Sequence, residues 1–111
     1  MKLLETMVHC ADLSNPTKPL SQYKAWVKLV FDEFFCQGDY EREAGLVVSP
    51  NCDRNTVCIA QSQIAFIDYV VRPIWETWSN FVHPDTKEIL NQLEENYSYY
   101  YEESHRISQR L

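Results

Sequence analysis

LSQYKAWVKLVFDEFF, residues 20–35, decides the fold class. Leu20, Tyr23, Trp26, Val27, Val30, Phe31, Phe34 and Phe35 recur at i, i+3, i+4 and i+7, the period of an α-helix with one heavily apolar face. Pro19 suits the first turn of such a helix, because its missing N–H has no intrahelical partner there. The face spends nearly half the circumference on large side chains. A hairpin of so few helices scarcely covers that much, so the face either meets helices outside this chain or lines a pocket.

Outward from this helix the pattern stays helical. On the N-terminal side Leu3, Leu4, Met7, Val8 and Ala11 share one face, and Ser14-Asn15-Pro16 marks a turn. Downstream, Gly38 is a candidate helix end, although EREA (41–44) can carry the helix on to Gly45. Val47–Asn55 reads as a loop. A third helix is expected from Thr56, carrying Ile59, Gln63, Phe66, Ile67 and Val70, with Pro73 kinking or breaking it. Trp75 and Trp78 follow on one face. His83-Pro84-Asp85 looks like a helix start with Pro84 at the first position. The last helix carries Ile89, Leu90, Leu93, Tyr97, Tyr100 and Tyr101. No strand pattern stands out, and the class is all-α.

Composition narrows the functions. The 111 residues suffice for one domain, and a chain 45% hydrophobic with two glycines is neither disordered nor of low complexity. The net charge of −6 argues against electrostatic binding to a nucleic-acid backbone. No apolar run is long enough for a transmembrane segment. Cys10, Cys36, Cys52 and Cys58 form no CxxC or zinc-finger spacing and read as reduced, mostly buried thiols of an intracellular, cytoplasmic protein.

The chemistry-bearing stretch is HCADLSNP, residues 9–16. His9 and Asp12 are three apart and share a helix face, a spacing that serves metal sites in helical bundles. The same spacing also suits an ordinary hydrogen-bonded pair at a helix end. A catalytic metal needs about three protein ligands and an open position. His83 and His105 lie far along the chain beside solvent-facing charges. No HExxH, glycine-rich phosphate loop, GxSxG or clustered acid pair is present. If Asp12 binds a metal, its partner ligands are expected outside this chain. Phe66, Trp26 and Phe34 on their spacing alone are core residues and Asn15 a turn residue. Gln63 is the anomaly, since an amide on an apolar face must be paired if buried.

HCADLSNPTKPL (9–20), SPNCD (49–53) and SQIAFIDYVVRPIWETW (62–78) together resemble the C-terminal third of a class I cyclic-nucleotide phosphodiesterase catalytic domain, nearest the cAMP-specific type-four class. The likeness runs from about Leu3 to about Tyr101. It implies a multi-helix bundle of which this chain, residues 1–111, is the C-terminal portion, and a substrate, cAMP, that opens to 5′-AMP.

By the same resemblance Asp12 matches the aspartate that is one protein ligand of a tightly bound zinc, with magnesium as the usual second metal. The two metals would hold a bridging hydroxide and the phosphate oxygens for in-line attack. The remaining ligands and the general-acid histidine belong to upstream motifs that this sequence does not contain, so no catalytic acid is assigned here. Gln63 matches the purine-binding glutamine, Phe66 the aromatic that stacks on the base, and Val30 the aliphatic opposite it. Asn15 matches the asparagine that reaches the purine edge in cAMP-selective members. Tyr23, Trp26 and Phe34 match positions lining the pocket. His9 fits a supporting hydrogen-bond role better than direct ligation.

Three departures touch selectivity. Asn51 stands where the type-four class usually has methionine, Ala65 where it has glycine and Val27 where it has threonine. The resemblance implies that the isolated chain does not turn over cAMP, and it admits a homodimer of the longer protein. The alternative reading is a truncated, non-catalytic helical module that binds a partner phosphodiesterase or a regulator through its aromatic face.

Overall fold

The computed structural model describes residues 2–110. Among them α1 is Lys2–Asp12, a short 3-10 turn is Asn15–Thr17, α2 is Leu20–Glu43, α3 is Ile59–Phe66, α4 is Arg72–Val82 and α5 is Lys87–Gln109. No described residue is in a strand, as the all-α expectation requires. No helix is long and apolar enough to cross a membrane among the described residues.

The core is built from Tyr23, Val27 and Phe31 of α2, Ala60 of α3, Ile67 and Val71 beyond it, Trp75 of α4, and Leu93 and Tyr100 of α5. α5 packs on α3 and touches the 3-10 turn, while α1 packs on α4. Burial of these apolar side chains is what holds α3 and α4, only 8 and 11 residues long and marginal alone in water.

Helix α2 runs through Gly38 and ends at Glu43. Its end is a Schellman arrangement: the Gly45 N–H donates to the Arg42 carbonyl (3.1 Å) and the Leu46 N–H to the Glu41 carbonyl (2.9 Å). Gly45 supplies the left-handed backbone, φ 74°, that this closure needs. Gly38 has another task. The loop after α2 folds back so closely that a Cβ at residue 38 would sit 1.9 Å from the Cys52 carbonyl oxygen. Arg42 pairs with Asp53, Arg54 with Asp39, and Glu41 accepts from both the N–H and the hydroxyl of Ser49, which fastens that loop along α2. The Arg54 guanidinium holds the Asp39 carboxyl below its ordinary range, and the Ser49 hydroxyl does the same for Glu41.

Two expected helix starts are corrected. The third helix starts at Ile59, because residues 53–57 form a turn with the Thr56 and Val57 N–H groups donating to the Asp53 carbonyl. Pro73 interrupts the α-helix as expected: α3 ends at Phe66, and Ile67–Val71 widens into a π-helical stretch in which the Arg72 N–H reaches back to the Ile67 carbonyl. The wider turn accommodates the ring and its missing donor, so the path from Ile59 to Val82 stays helical. Pro84 precedes the last helix as part of a turn, its carbonyl accepting from the Lys87 N–H at 3.1 Å. Leu3, Leu4, Met7 and Val8 lie on a helix as expected, outside the core. Each is exposed, and α1 buries only Cys10, whose thiol meets the Ile74 carbonyl of α4.

All four cysteines are free thiols. Cys10 and Cys52 are buried and Cys58 half-buried as expected, whereas Cys36 is exposed.

Candidate functional site

The apolar face of α2 closes over a cavity of about 360 Å³ between α2, α3 and the segment joining α1 to α2. Tyr23, Trp26, Val30 and Phe34 line it from α2, and Gln63 and Phe66 from α3. Asn15 of the joining segment and Asp12, the last residue of α1, complete it. All eight residues singled out in the sequence therefore meet at one place, and the excess aromatic surface of α2 has its explanation. Trp26 remains 47% exposed, so the cavity is open on that side.

At the floor, Tyr23 is 1% exposed and its hydroxyl donates to Gln63 Oε1. Burial raises the Tyr23 pKa far above the ordinary phenol value, with the neighbouring Tyr100 adding to it. The hydroxyl is thus a permanent proton donor at any physiological pH. Its ring stands edge-on to Tyr100, centroids 5.4 Å apart, which locks it sideways. Gln63 lines the cavity with Oε1 held this way, and its carboxamide carries an Nε2 donor beside the Oε1 acceptor. A group that donates and accepts side by side suits the hydrogen-bonding edge of a purine. Phe66 and Val30 supply flat and aliphatic apolar surface beside it.

The joining segment is held from two sides. Trp75 Nε1 of α4 donates to the Leu13 carbonyl at 3.3 Å. Asn96 Nδ2 of α5 donates to the Pro16 and Lys18 carbonyls. Asn96 was missed in the sequence reading, yet the signal was there: it is a polar residue between Leu93 and Tyr100 on the buried face of α5. Pro16, Ser62 and Asn51 also line the cavity. Asn51 adopts φ 66°, a conformation that asparagine tolerates better than most residues, and its Oδ1 accepts from the Ser62 hydroxyl at 3.3 Å.

The metal expectation meets a less complete site. Asp12 and His9 are exposed and share a shallow groove with Leu4, Glu5 and Val8, with Asp12 at the join between groove and cavity. Among the described residues no three His, Cys, Asp or Glu side chains gather closely enough to hold a metal ion. The residues present do not fit a complete zinc or magnesium site; Asp12 can contribute one carboxylate to a site built elsewhere.

Comparison with known proteins now places this arrangement. The family model described as 3′5′-cyclic nucleotide phosphodiesterase matches residues 1–93. The chain belongs to that family. A Drosophila melanogaster protein, 3′,5′-cyclic-AMP phosphodiesterase isoform F, is 60% identical over 100 residues, which is 90% of this chain and 15% of the relative. A rat relative, 3′,5′-cyclic-AMP phosphodiesterase 4C, is 52% identical over 100 residues, again 90% of this chain and 19% of the relative. The solved structure of LmjPDEB1 in complex with IBMX superposes with a TM-score of 0.79 at 31% identity, covering 88% of this chain and 30% of that one. The chain spans less than a fifth of the length of these curated relatives. The fold of the phosphodiesterase is therefore present here in one part only.

Proposed function

We propose that this chain forms the purine-binding wall of a cAMP-hydrolysing phosphodiesterase and lends it one metal-ligating carboxylate, Asp12. The observation that carries this reading is the Tyr23–Gln63 hydrogen bond in a cavity that also holds Phe66 and Asn15. The names of the 60% and 52% identical relatives supply the substrate class. In this reading Gln63 binds the adenine edge, Phe66 stacks on the base, Val30 packs against its other face, and Asn15 reaches the purine edge. Trp26 and Phe34 line the pocket beside the base. Binding the base this way spends contacts remote from phosphorus to fix the position of the reacting ester.

The zinc and magnesium that the family resemblance implies need ligands that this chain does not hold, and so does the acid that protonates the leaving oxygen. The 111 residues alone are therefore proposed to bind and orient, without turnover. A chimera tests this: the chain replaces the corresponding segment of the Drosophila cAMP phosphodiesterase. The expected result is cAMP hydrolysis that Asp12→Ala abolishes. An inactive but folded chimera, or one indifferent to Asp12→Ala, contradicts the reading.

One observation favours a second reading. The α1 face bearing Leu3, Leu4, Met7 and Val8 is uncovered, each residue 45–57% exposed, which suits a helical module that docks on another protein. Stable capture of an intact cAMP phosphodiesterase by the free chain, lost on Leu4→Asp with Val8→Asp, would favour it over the chimera result.

A further inference from the structure

Asn96 is 0% exposed in the middle of α5, between the core residues Leu93 and Tyr100. A carboxamide there is tolerated only if its polar atoms are paired. All of them are. Nδ2 donates to the Pro16 carbonyl and to the Lys18 carbonyl, both at 2.8 Å, and Oδ1 accepts from Gln92 Nε2 at 3.1 Å. Two carbonyl acceptors fix the orientation of the amide, because a carbonyl has no hydrogen to give.

The two carbonyls belong to the turn that starts at Asn15. That turn closes on itself through Thr17 N–H to the Ser14 carbonyl (2.9 Å) and Lys18 N–H to the Asn15 carbonyl (3.1 Å). Asn96 ties it to α5, reaching across 80 and 78 residues of sequence, while Trp75 of α4 holds the preceding Leu13 carbonyl. Pro16, fully buried with a fixed φ, leaves the turn little freedom to shift on its own. Moving these carbonyls moves Asn15 against Gln63 in the same cavity.

We propose that Asn96 is a positioning residue for base selection: by gripping the Pro16 and Lys18 carbonyls it places the Asn15 carboxamide at the purine edge, and so contributes to the preference for adenine over guanine. The proposal rests on the purine-wall reading and extends it to a residue just beyond the matched stretch 1–93. Adenine presents an amino donor where guanine presents a carbonyl acceptor. A side-chain amide distinguishes them only if held within roughly half an ångström of the right place. A buried asparagine that merely stabilised the fold would alter melting temperature and leave base preference alone.

The test is calorimetric titration of cAMP and cGMP into the full 111-residue chain, for wild type, Asn96→Ser, Asn15→Ala and the double variant, each checked for cooperative melting of its helical signal. Asn96→Ser is expected to reduce the cAMP-over-cGMP affinity ratio about three- to tenfold, the range of one hydrogen bond. In the Asn15→Ala background the same change is expected to leave the ratio where it is. A folded Asn96→Ser chain with the wild-type ratio overturns the proposal, as does a loss additive with Asn15→Ala. Should Asn96→Ser not fold, Gln92→Ala loosens the same amide from the other side, and an unchanged ratio there overturns it equally. Wild-type binding of both nucleotides without preference overturns this proposal alone. No binding of either overturns it together with the purine-wall reading.

Discussion

The Tyr23 hydroxyl in α2 donates to Gln63 Oε1 in α3, a buried link between residues 40 apart. It satisfies a buried amide on an apolar helix face and, in the proposed purine wall, is what orients Gln63. Tyr23→Phe keeps the ring and its edge-on contact with Tyr100 but leaves the Gln63 amide without its anchor. We expect a stability loss of about 1–3 kcal/mol, the cost of an unsatisfied buried acceptor. We also expect weaker binding of both cAMP and cGMP as the amide becomes free to rotate. Urea melts and titration of the two nucleotides check this; wild-type binding by Tyr23→Phe would show that the hydrogen bond is structural only.

The same tyrosine makes an alkaline prediction. Tyr23 and Tyr100 are both raised chiefly by burial, Tyr100 being pushed up to about 12 and Tyr23 beyond that. In the unfolded chain both lose their protons near pH 10. Above that pH the unfolded state binds fewer protons than the folded one, so stability falls as pH rises. Melting temperature should hold steady toward pH 9 and decline from about pH 10 upward. In Tyr23→Phe the alkaline decline should be shallower; an identical decline would place the titration elsewhere.

Gly38 is a packing requirement in the middle of a helix that would otherwise favour alanine. A Cβ there meets the Cys52 backbone oxygen, and backbone cannot swing aside as a side-chain tip can. Gly38→Ala is expected to destabilise by about 2–3 kcal/mol or more, in the range of overpacked sites, against the gain of up to about 1 kcal/mol that helix propensity alone would bring. Thermal melting decides the sign. A more stable variant would mean that the 44–58 loop does not lie along α2 as described.

Phe66 lines the cavity half-buried, its ring also packed against the edge of the core. Phe66→Ala removes the stacking surface and should weaken cAMP binding by about 1–3 kcal/mol, the worth of one base–aromatic stack. Phe66→Leu, which keeps most of the volume, should recover folding but not the full affinity. Equal binding by Phe66→Leu and wild type would reduce Phe66 to a core residue.

The helices were legible because the 3.6-residue stripe of residues 20–35 has no other reading, and because Pro16 and Gly45 punctuate the chain by mechanisms that act locally. Gly38 was ambiguous for the opposite reason: whether a glycine ends a helix or admits a neighbour depends on the 44–58 loop, which local sequence does not reveal. Pro73 marked an interruption through its missing donor, but that the interruption takes the form of a π-helical stretch depends on packing around Ile67 and Val71. The exposed stripe of α1 shows that periodicity identifies an apolar face without saying what covers it. For the site, the family resemblance named the eight lining residues, while spacing alone left Phe66, Trp26 and Phe34 as core and Asn15 as a turn. Only Gln63 was anomalous from the residues themselves. Its partner Tyr23, and the grip of Asn96 on the turn, are long-range contacts that no local pattern encodes.

The most direct test of the purine wall is a nuclear magnetic resonance titration of the chain with cAMP, following the side-chain amide of Gln63 and the ring of Phe66. Saturable shifts at both, with contacts from the adenine ring to Phe66 and a Phe66 shift weakened in Gln63→Ala, are the predicted result. Shifts confined to α5 or to the uncovered face of α1, or none at millimolar nucleotide, would contradict it.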